Sequence, residues 1–128
     1  MITIALPTAD RSTTHRFYLA LGFTAFGDLA DDGVPEPLQF ELAPATNLMF
    51  IPTGGFGWVT GDHEVAPPGT SECLLAWSAD SAAAVDDLVA RAEAAGAAVV
   101  SAPQQQPWGY EGTFADPDGH LWQVLHTP

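Results

Sequence analysis

Four histidines are the side chains of this sequence best suited to bind a metal or to move a proton near neutral pH. They are His15, His63, His120 and His126. No two of them have the i, i+4 spacing that places two imidazoles on one face of a helix, and no cysteine neighbours them. The spacing therefore predicts no histidine metal site. His120, which directly follows Asp-Pro-Asp-Gly, is interpreted as a turn residue.

Carboxylates are the other groups that could do acid–base chemistry without a metal. Glu41 and Glu111 fall in predicted strands, and the sequence sets neither against a partner. The acidic pairs at 31–32 and 86–87 are interpreted as solvated, the first in a loop and the second on the polar face of a helix. No order of serine, cysteine, histidine and aspartate indicates a catalytic triad, since a triad cannot be inferred from order alone.

Charge restricts the partners of the protein. The 128 residues include 16 acidic and only three basic side chains, without any lysine, for a formal net charge of −13. Nucleic acid and anionic membranes are excluded as partners, because both are bound through clustered cationic side chains. Two interpretations of the charge remain open: it keeps the protein soluble, or it attracts a cationic small molecule or a basic partner.

Cellular location is predicted from what the sequence does not contain. No apolar run approaches the roughly 20 residues needed to span a bilayer. The first residues have no basic segment and are typical of a strand, so no signal peptide is predicted. Cys73 is the single cysteine and cannot form an internal disulfide, which is typical of a reducing cytoplasm.

A repeated pattern organises the elements that must position these groups. Residues 3–10 and 73–80 are both short apolar runs that end in an aspartate, and a helical stretch follows each. Each helix is predicted to end at a glycine, Gly22 or Gly96, because glycine adopts the left-handed conformation without a Cβ clash. Three further strands are predicted in each half, at 23–26, 37–42 and 47–51 and at 97–101, 111–115 and 121–125.

The order β-α-β-β-β, read twice, predicts an α+β fold made of two modules in a single domain. Module 1 spans residues 1–52, a connection rich in glycine and proline spans 53–71, and module 2 spans 72–128. One helix over four short strands buries too little sheet, so the modules are expected to pair, within one chain or across a dimer. A curved mixed sheet, an incomplete barrel, would then enclose a concave cleft for a small ligand.

Two motifs give this chain a family resemblance. They are FYLALGF at 17–23 and FADPDGHLW at 114–122, and they stand at corresponding ends of the duplicated pattern. The chain resembles the vicinal oxygen chelate superfamily, which includes glyoxalase I, extradiol dioxygenases and bleomycin-resistance proteins. The resemblance covers essentially the whole chain and implies the glyoxalase/bleomycin-resistance/dioxygenase fold and a homodimer.

The resemblance also indicates where a metal would be held. Metal-dependent members carry a histidine on the first strand of each module and a carboxylate on the last. Aligned on the aspartates and on the Asp-Pro-Asp-Gly turn, these positions fall on Thr3, Cys73 and Gln123, with Met49 near the fourth. Divalent metals need several carboxylate, imidazole or thiolate donors, so no metal or other cofactor is predicted. A soft-metal site from Cys73 and Met49 is conceivable, but a lone cysteine on an apolar strand is more often a core residue.

Strand alternation extends this assignment to neighbouring side chains. If Thr3, Cys73 and Gln123 face the cleft, Leu75 and Trp77 face it too, because side chains alternate between the two faces of a strand. By the same rule Leu74 and Trp122 are expected to pack under the helices. Trp77 is thus the aromatic side chain predicted to line the ligand site.

Two glycine-flanked segments, 54–58 and 107–110, supply further aromatic side chains. They contain Phe56 and Trp58, and Trp108 and Tyr110, respectively. Two interpretations stay open. The segments form a mobile lid that stacks on a planar ligand, or they close the ends of the barrel or a dimer interface.

These features favour a metal-free binding protein that sequesters an aromatic and, given the charge, cationic compound in the manner of the bleomycin-resistance branch. The predicted ligand-binding residues are Thr3, Met49, Phe56, Trp58, Cys73, Leu75, Trp77, Trp108, Tyr110 and Gln123. The rival is an enzyme: a glyoxalase- or dioxygenase-like lyase, isomerase or oxygenase with an atypical metal-ligand set. A structural dimer with a filled cleft is the third alternative.

Overall fold

The computed structural model describes all 128 residues, and the chain forms two compact units. Unit 1 comprises Met1–Val65 and unit 2 comprises Ala66–Pro128. None of the helices has the length and apolar character that crossing a bilayer requires.

Unit 1 contains one four-stranded sheet and two helices. Its elements are β1 (Ile2–Thr8), α1 (Arg11–Ala20), β2 (Thr24–Phe26), β3 (Leu38–Ala43), β4 (Thr46–Pro52) and α2 (Thr53–Val59). The strand order is β1-β4-β3-β2. β1 runs parallel to β4, whereas β4, β3 and β2 are antiparallel neighbours.

Aromatic side chains form the core of unit 1. Tyr18 of α1 is fully buried, with its ring centroid 4.9 Å from that of Phe50 and 5.4 Å from that of Phe40. Phe17 meets Tyr18 edge to face at 5.0 Å. Such tilted and edge-on pairs stabilise beyond the area they bury, and they fix α1 against one face of the sheet.

Unit 2 repeats the order of elements from β1 to β4 and has no counterpart of α2. It contains β5 (Leu74–Ser78), α3 (Ala82–Ala94), β6 (Ala98–Gln106), β7 (Gly109–Ala115) and β8 (Leu121–His126). The strand order is β5-β8-β7-β6, with β5 parallel to β8. Each sheet is four-stranded, mixed and not closed into a barrel. The predicted α+β fold with two β-α-β-β-β modules is confirmed.

The β6–β7 hairpin is the largest departure from the predicted strands. β6 was expected to end at Ser101 but continues to Gln106, since register shifts on either side of Ser101 accommodate Pro103 on an edge strand. Pro107 and Trp108 form a two-residue turn. A Cβ on Gly109 would lie 2.6 Å from the carbonyl oxygen of His126, so glycine is required by a close backbone approach.

No helix was predicted in the glycine- and proline-rich connection after β4, and the structure corrects this for its first residues. Residues 53–59 form α2, which packs against β4 and β1. Three glycines weaken a helix but do not forbid one. The hydroxyl of Thr53 donates to the carbonyl of Thr8 at 3.0 Å and anchors the first turn.

The two helix caps set different registers for the two first strands. Asp10 caps α1 by accepting from the amides of Ser12 and Thr13. α3 is capped by Ser81, whose Oγ accepts from the amide of Ala84 at 3.0 Å. Asp10 therefore corresponds to Ser81 and not to Asp80. The correspondence between residues of β1 and residues of β5 consequently shifts by one position.

Candidate functional site

The face of each sheet that lies opposite its long helix is called here the open face. In unit 1, Leu48 and Phe50 are buried against the α1 side. Because neighbours along a strand alternate, Asn47 and Met49 of β4 project to the open face. Thr3 pairs with Asn47 and shares that face.

In unit 2 the corresponding division is set by β8. Trp122 and Val124 are buried on the α3 side, and the ring of Trp122 stacks on that of Phe114 at 6.4 Å. Leu121, Gln123 and Leu125 alternate with them and lie on the open face. The predicted positions of Gln123 and Trp122 agree with this arrangement.

The predicted orientation of β5 is wrong. Trp77 pairs with Val124 and its ring lies 5.8 Å from that of Trp122, so it belongs to the α3 side. Leu75 pairs with Trp122 and lies on the same side. Leu74, expected under the helix, is 51% exposed on the open face. The cause is the one-residue difference in capping, which inverts the face of every β5 side chain.

Cys73 does not take the position assigned to it. It is exposed and precedes β5, and Leu74 stands where Thr3 stands in β1. The positions at which the family holds metal ligands are thus occupied by Thr3 and Met49 in unit 1 and by Leu74 and Gln123 in unit 2. A hydroxyl, a thioether, an alkyl group and a carboxamide do not meet the donor needs of zinc or of a hard divalent ion. These residues do not fit the metal centre of the metal-dependent members.

A carboxylate held by an amide is the principal polar feature of the unit 2 open face. Gln123 of β8 donates a hydrogen bond from Nε2 to Oε2 of Glu111 on β7, and both side chains are half-buried. This is the hydrogen bond of Glu111, and its other oxygen, Oε1, has no donor within the chain. The open-face neighbours are Leu121 and Leu125 on either side of Gln123, Thr113 opposite it, and Ser78 paired with Leu125.

This arrangement orients one carboxylate oxygen and leaves the other available to a donor. A carboxylate is an acceptor-only group. Its hydrogen bonds to cationic donors are stronger than those between neutral groups. No partner of Glu111 was predicted from the sequence, although the register of the β7–β8 hairpin indicates one. Thr113 pairs with Gln123 and Glu111 pairs with Leu125, which sets Glu111 diagonally across from Gln123.

The open face of unit 1 has no equivalent pair. Glu41 pairs in register with Asn47 but is exposed, and its carboxylate makes no hydrogen bond. Gln39, the next residue on this face, pairs with Met49. Glu41 is a solvated carboxylate beside a thioether and two amides.

The aromatic side chains of the two segments differ in their exposure and in their partners. Trp58 on α2 and Trp108 at the β6–β7 turn are 86% and 57% exposed, respectively, and Phe56 is half-buried. Tyr110 donates its hydroxyl to Oδ1 of Asp86 at 2.6 Å, which ties β7 to α3. This bond raises the pKa of Tyr110, because the phenolate would lose it and be repelled by Asp86. Asp86 is exposed, as predicted, and it also accepts this hydrogen bond.

The turn between β7 and β8 brings three potential metal ligands together. Ligand atoms of Asp116, Asp118 and His120 lie within 4.8 Å of one another. The buried carboxylate of Asp116 accepts from the amides of Asp118 and His120 at 3.0 and 2.8 Å, so one of its oxygens shapes the turn. The i, i+2, i+4 spacing of these residues in the sequence was the available signal for this cluster, which was not predicted.

Comparison with known proteins places this geometry in a family. The model of the Glyoxalase/Bleomycin resistance protein/Dioxygenase superfamily matches residues 2–124. The hypothetical protein SA1046 from S. aureus is 26% identical with a TM-score of 0.82, over 98% of this chain and 91% of that one. A glyoxalase-related enzyme from Fulvimarina pelagi is 25% identical with a TM-score of 0.84, over 100% and 88%.

A more distant match shares the fold alone. Lactoylglutathione lyase from Agrobacterium tumefaciens is 19% identical with a TM-score of 0.67, over 98% of this chain and 92% of that one. No curated protein matches the chain.

Proposed function

The chain belongs to the Glyoxalase/Bleomycin resistance protein/Dioxygenase superfamily, and we propose that it binds a small organic cation without a metal. The binding surface is the open face of unit 2. The observation that carries the proposal is the Glu111 carboxylate, oriented by Gln123 at the position where the family places a metal ligand.

Charge and surroundings support a cation as the ligand. Oε1 of Glu111 is available to a donor, while Leu121 and Leu125 offer alkyl surface on either side of Gln123. An ammonium or amidinium group on an apolar body fits such a surface, because its charge meets the carboxylate and its carbon atoms cover the leucines. The net charge of −13 raises the local concentration of cations and disfavours anions.

Two exposed indole rings support an aromatic ligand. Trp77 packs toward α3 and is therefore not a stacking surface for the ligand. Trp58 and Trp108 remain exposed, and exposed indole rings can stack on planar or cationic groups. Sequestration of an aromatic cation, a homodimeric state and a cytoplasmic location are parts of this proposal.

Calorimetric titration of chelator-treated protein tests the proposal. The panel pairs cationic compounds, such as benzamidine and a planar dye with a quaternary nitrogen, with benzoate and benzamide as anionic and neutral counterparts. We expect saturable heat for the cations, weakened by salt, and none for benzoate. Equal binding of benzoate and benzamidine, or no binding of any cation, would contradict the proposal.

A metal-dependent lyase, isomerase or oxygenase is the second candidate, favoured by the cluster of Asp116, Asp118 and His120. Elemental analysis of untagged protein purified without chelator separates the two. Stoichiometric zinc, nickel, iron or manganese that is lost in Asp118→Asn would support a metal at this turn. Metal retained in that variant would place the ion elsewhere, and absence of metal supports the metal-independent proposal.

A further inference from the structure

The open face of unit 2 carries three rows of side chains that cross its four strands. Residues paired in register lie side by side on one face, and successive rows are two residues, or about 6.8 Å, apart along a strand. From the β6–β7 turn toward the β7–β8 turn, the rows change from charged to largely polar and uncharged, and then to apolar. The first row holds Gln104, Glu111, Leu125 and Ser78, the second holds Ser101, Thr113, Gln123 and Ala76, and the third holds Ala98, Ala115, Leu121 and Leu74.

The second row presents a hydroxyl opposite a carboxamide oxygen. Thr113 and Gln123 are paired in register across β7 and β8, and both are half-buried. Because a carboxylate only accepts, the Nε2 atom of Gln123 faces Glu111 and its Oε1 atom remains an acceptor. Neither this oxygen nor the hydroxyl of Thr113 has a hydrogen-bond partner within the chain. A ligand that covers this row must therefore satisfy a hydroxyl on one strand and a carbonyl oxygen on the next.

A secondary amide meets both needs of the second row, because its carbonyl accepts a hydrogen bond and its N–H donates one. In a trans amide these two groups point in opposite directions. A trans amide that lies along the strands thus directs its carbonyl toward Thr113 on β7 and its N–H toward Gln123 on β8. An ester lacks the donor, and an alkyl chain lacks both groups.

The third row is an apolar surface. Ala115 pairs with Leu121, and Ala98 and Leu74 flank this pair on β6 and β5. Leu74 is 51% exposed and Leu121 is half-buried. A planar apolar group that covers this row would remove these side chains from water, which favours binding.

We propose that this face binds aromatic amides that carry an ammonium group on a short alkyl spacer. The inference rests on the cation site proposed at Glu111 and names the class of compound that the site takes. The ammonium group lies on Glu111 in the first row, and the amide lies between Thr113 and Gln123 in the second. The aromatic ring covers Ala115 and Leu121 in the third. A row spacing of about 6.8 Å sets the spacer at a few methylene groups.

Calorimetry with two matched amines tests the recognition of the amide. One is N-phenylacetylputrescine, and the other is the amine in which two methylene groups replace its amide. We expect the amide compound to bind about three- to tenfold tighter, because methylene groups above the second row would leave its hydroxyl and carbonyl oxygen without partners. Benzamidine has no amide and measures the cation site separately.

Matched threonine variants assign this preference to the second row. Thr113→Val removes the hydroxyl with little change of shape, so it should remove most of the preference for the amide and leave the Kd of benzamidine unchanged. Thr24→Val makes the same change at an exposed position on β2 of unit 1 and should keep the preference.

The outcomes distinguish this inference from the function on which it rests. A preference that persists in Thr113→Val, or that is absent from the parent protein while benzamidine binds, would overturn the inference alone. Failure of benzamidine and of both amines to bind would refute the cation site itself.

Discussion

Unit 1 and unit 2 share an order of elements but differ in what their open faces carry. In unit 2, Gln123 of β8 holds Glu111 of β7. In unit 1, Met49 occupies the place of Gln123, and Glu41 is an exposed carboxylate without a hydrogen bond. The backbone pattern is thus duplicated while the chemistry is not. Function on this fold depends on individual side chains placed on a common scaffold.

The units also differ in how a strand passes into a helix. Asp10 caps α1 and Ser81 caps α3. Asp80 stands one position before the cap, and the side chain that caps α3 is that of Ser81. The residue that accepts from the first amides of a helix thus fixes the register of the preceding strand. An error of one position in that residue assigns every side chain of the strand to the wrong face of the sheet.

Truncation of Trp77 should give the largest effect and tests the assigned faces of β5. Trp77→Ala should lower the free energy of unfolding by about 2–4 kcal/mol, since the indole packs against Trp122. Leu74→Ala, on the exposed side of the same strand, should cost less than about 1 kcal/mol. Chemical denaturation measures both. A larger loss for Leu74→Ala would show that the sequence-based register was the right one.

Glycine-to-alanine substitutions should change stability in opposite directions in the β6–β7 hairpin of unit 2 and in helix α2 of unit 1. Gly109→Ala should destabilise by about 1–3 kcal/mol, because its Cβ would overlap the carbonyl oxygen of His126. Gly54→Ala in α2 meets no neighbouring atom and should stabilise by about 0.4–1 kcal/mol. Thermal denaturation measures the change in stability of each variant. Changes of the same sign in both variants would contradict the prediction.

Removal of the α3 cap should have a smaller effect. Ser81→Ala should cost about 1 kcal/mol, because the amide of Ala84 loses its acceptor. Asp80→Ala should leave the free energy of unfolding within about 0.5 kcal/mol of the parent. If Asp80→Ala proved the costlier change in urea unfolding, Ser81 would not be the counterpart of Asp10.

The two caps should also differ in their response to pH. Hydrogen bonds from the side chain and amide of Thr13 are the main cause of the lowered pKa of Asp10. A carboxyl whose folded pKa is depressed contributes stability above its unfolded pKa near 4, and that contribution is lost as pH falls through the folded value. The Ser81 hydroxyl does not titrate in this range.

Asp10→Asn keeps a capping acceptor and provides the control for this prediction. Between about pH 5 and pH 2 the parent should lose more stability than Asp10→Asn does. Unfolding curves collected across that range measure the difference. Parallel losses in the two proteins would assign the acid sensitivity to other carboxylates.

Most of the fold was predictable from the sequence because its signals are local. Apolar periodicity, the helix-ending glycines Gly22 and Gly96, and the Asp-Pro-Asp-Gly turn each depend on a few neighbouring residues. Helix α2 was missed because three glycines in seven residues contradict helix propensity. The extension of β6 was missed because a strand that accommodates Pro103 needs bulges set by its partner β7.

The site was less predictable because it depends on register. Gln123 was placed correctly from the β7–β8 turn, which lies only a few residues away. Trp77 was misplaced because its register was counted from Asp80, and the capping role of Ser81 is visible only in the folded helix. The hydrogen bond between Glu111 and Gln123 joins the adjacent strands β7 and β8. Their register places the two residues together, and that register depends on the type of turn between the strands.

Comparison of two matched carboxyl variants tests the central claim most directly. Calorimetry of benzamidine binding to chelator-treated Glu111→Gln and Glu41→Gln compares the same charge change on the two open faces. We predict about tenfold weaker binding for Glu111→Gln, the loss of one charge-assisted hydrogen bond, and an unchanged Kd for Glu41→Gln. Equal affinities of the two variants, or a larger loss for Glu41→Gln, would contradict a cation site at Glu111.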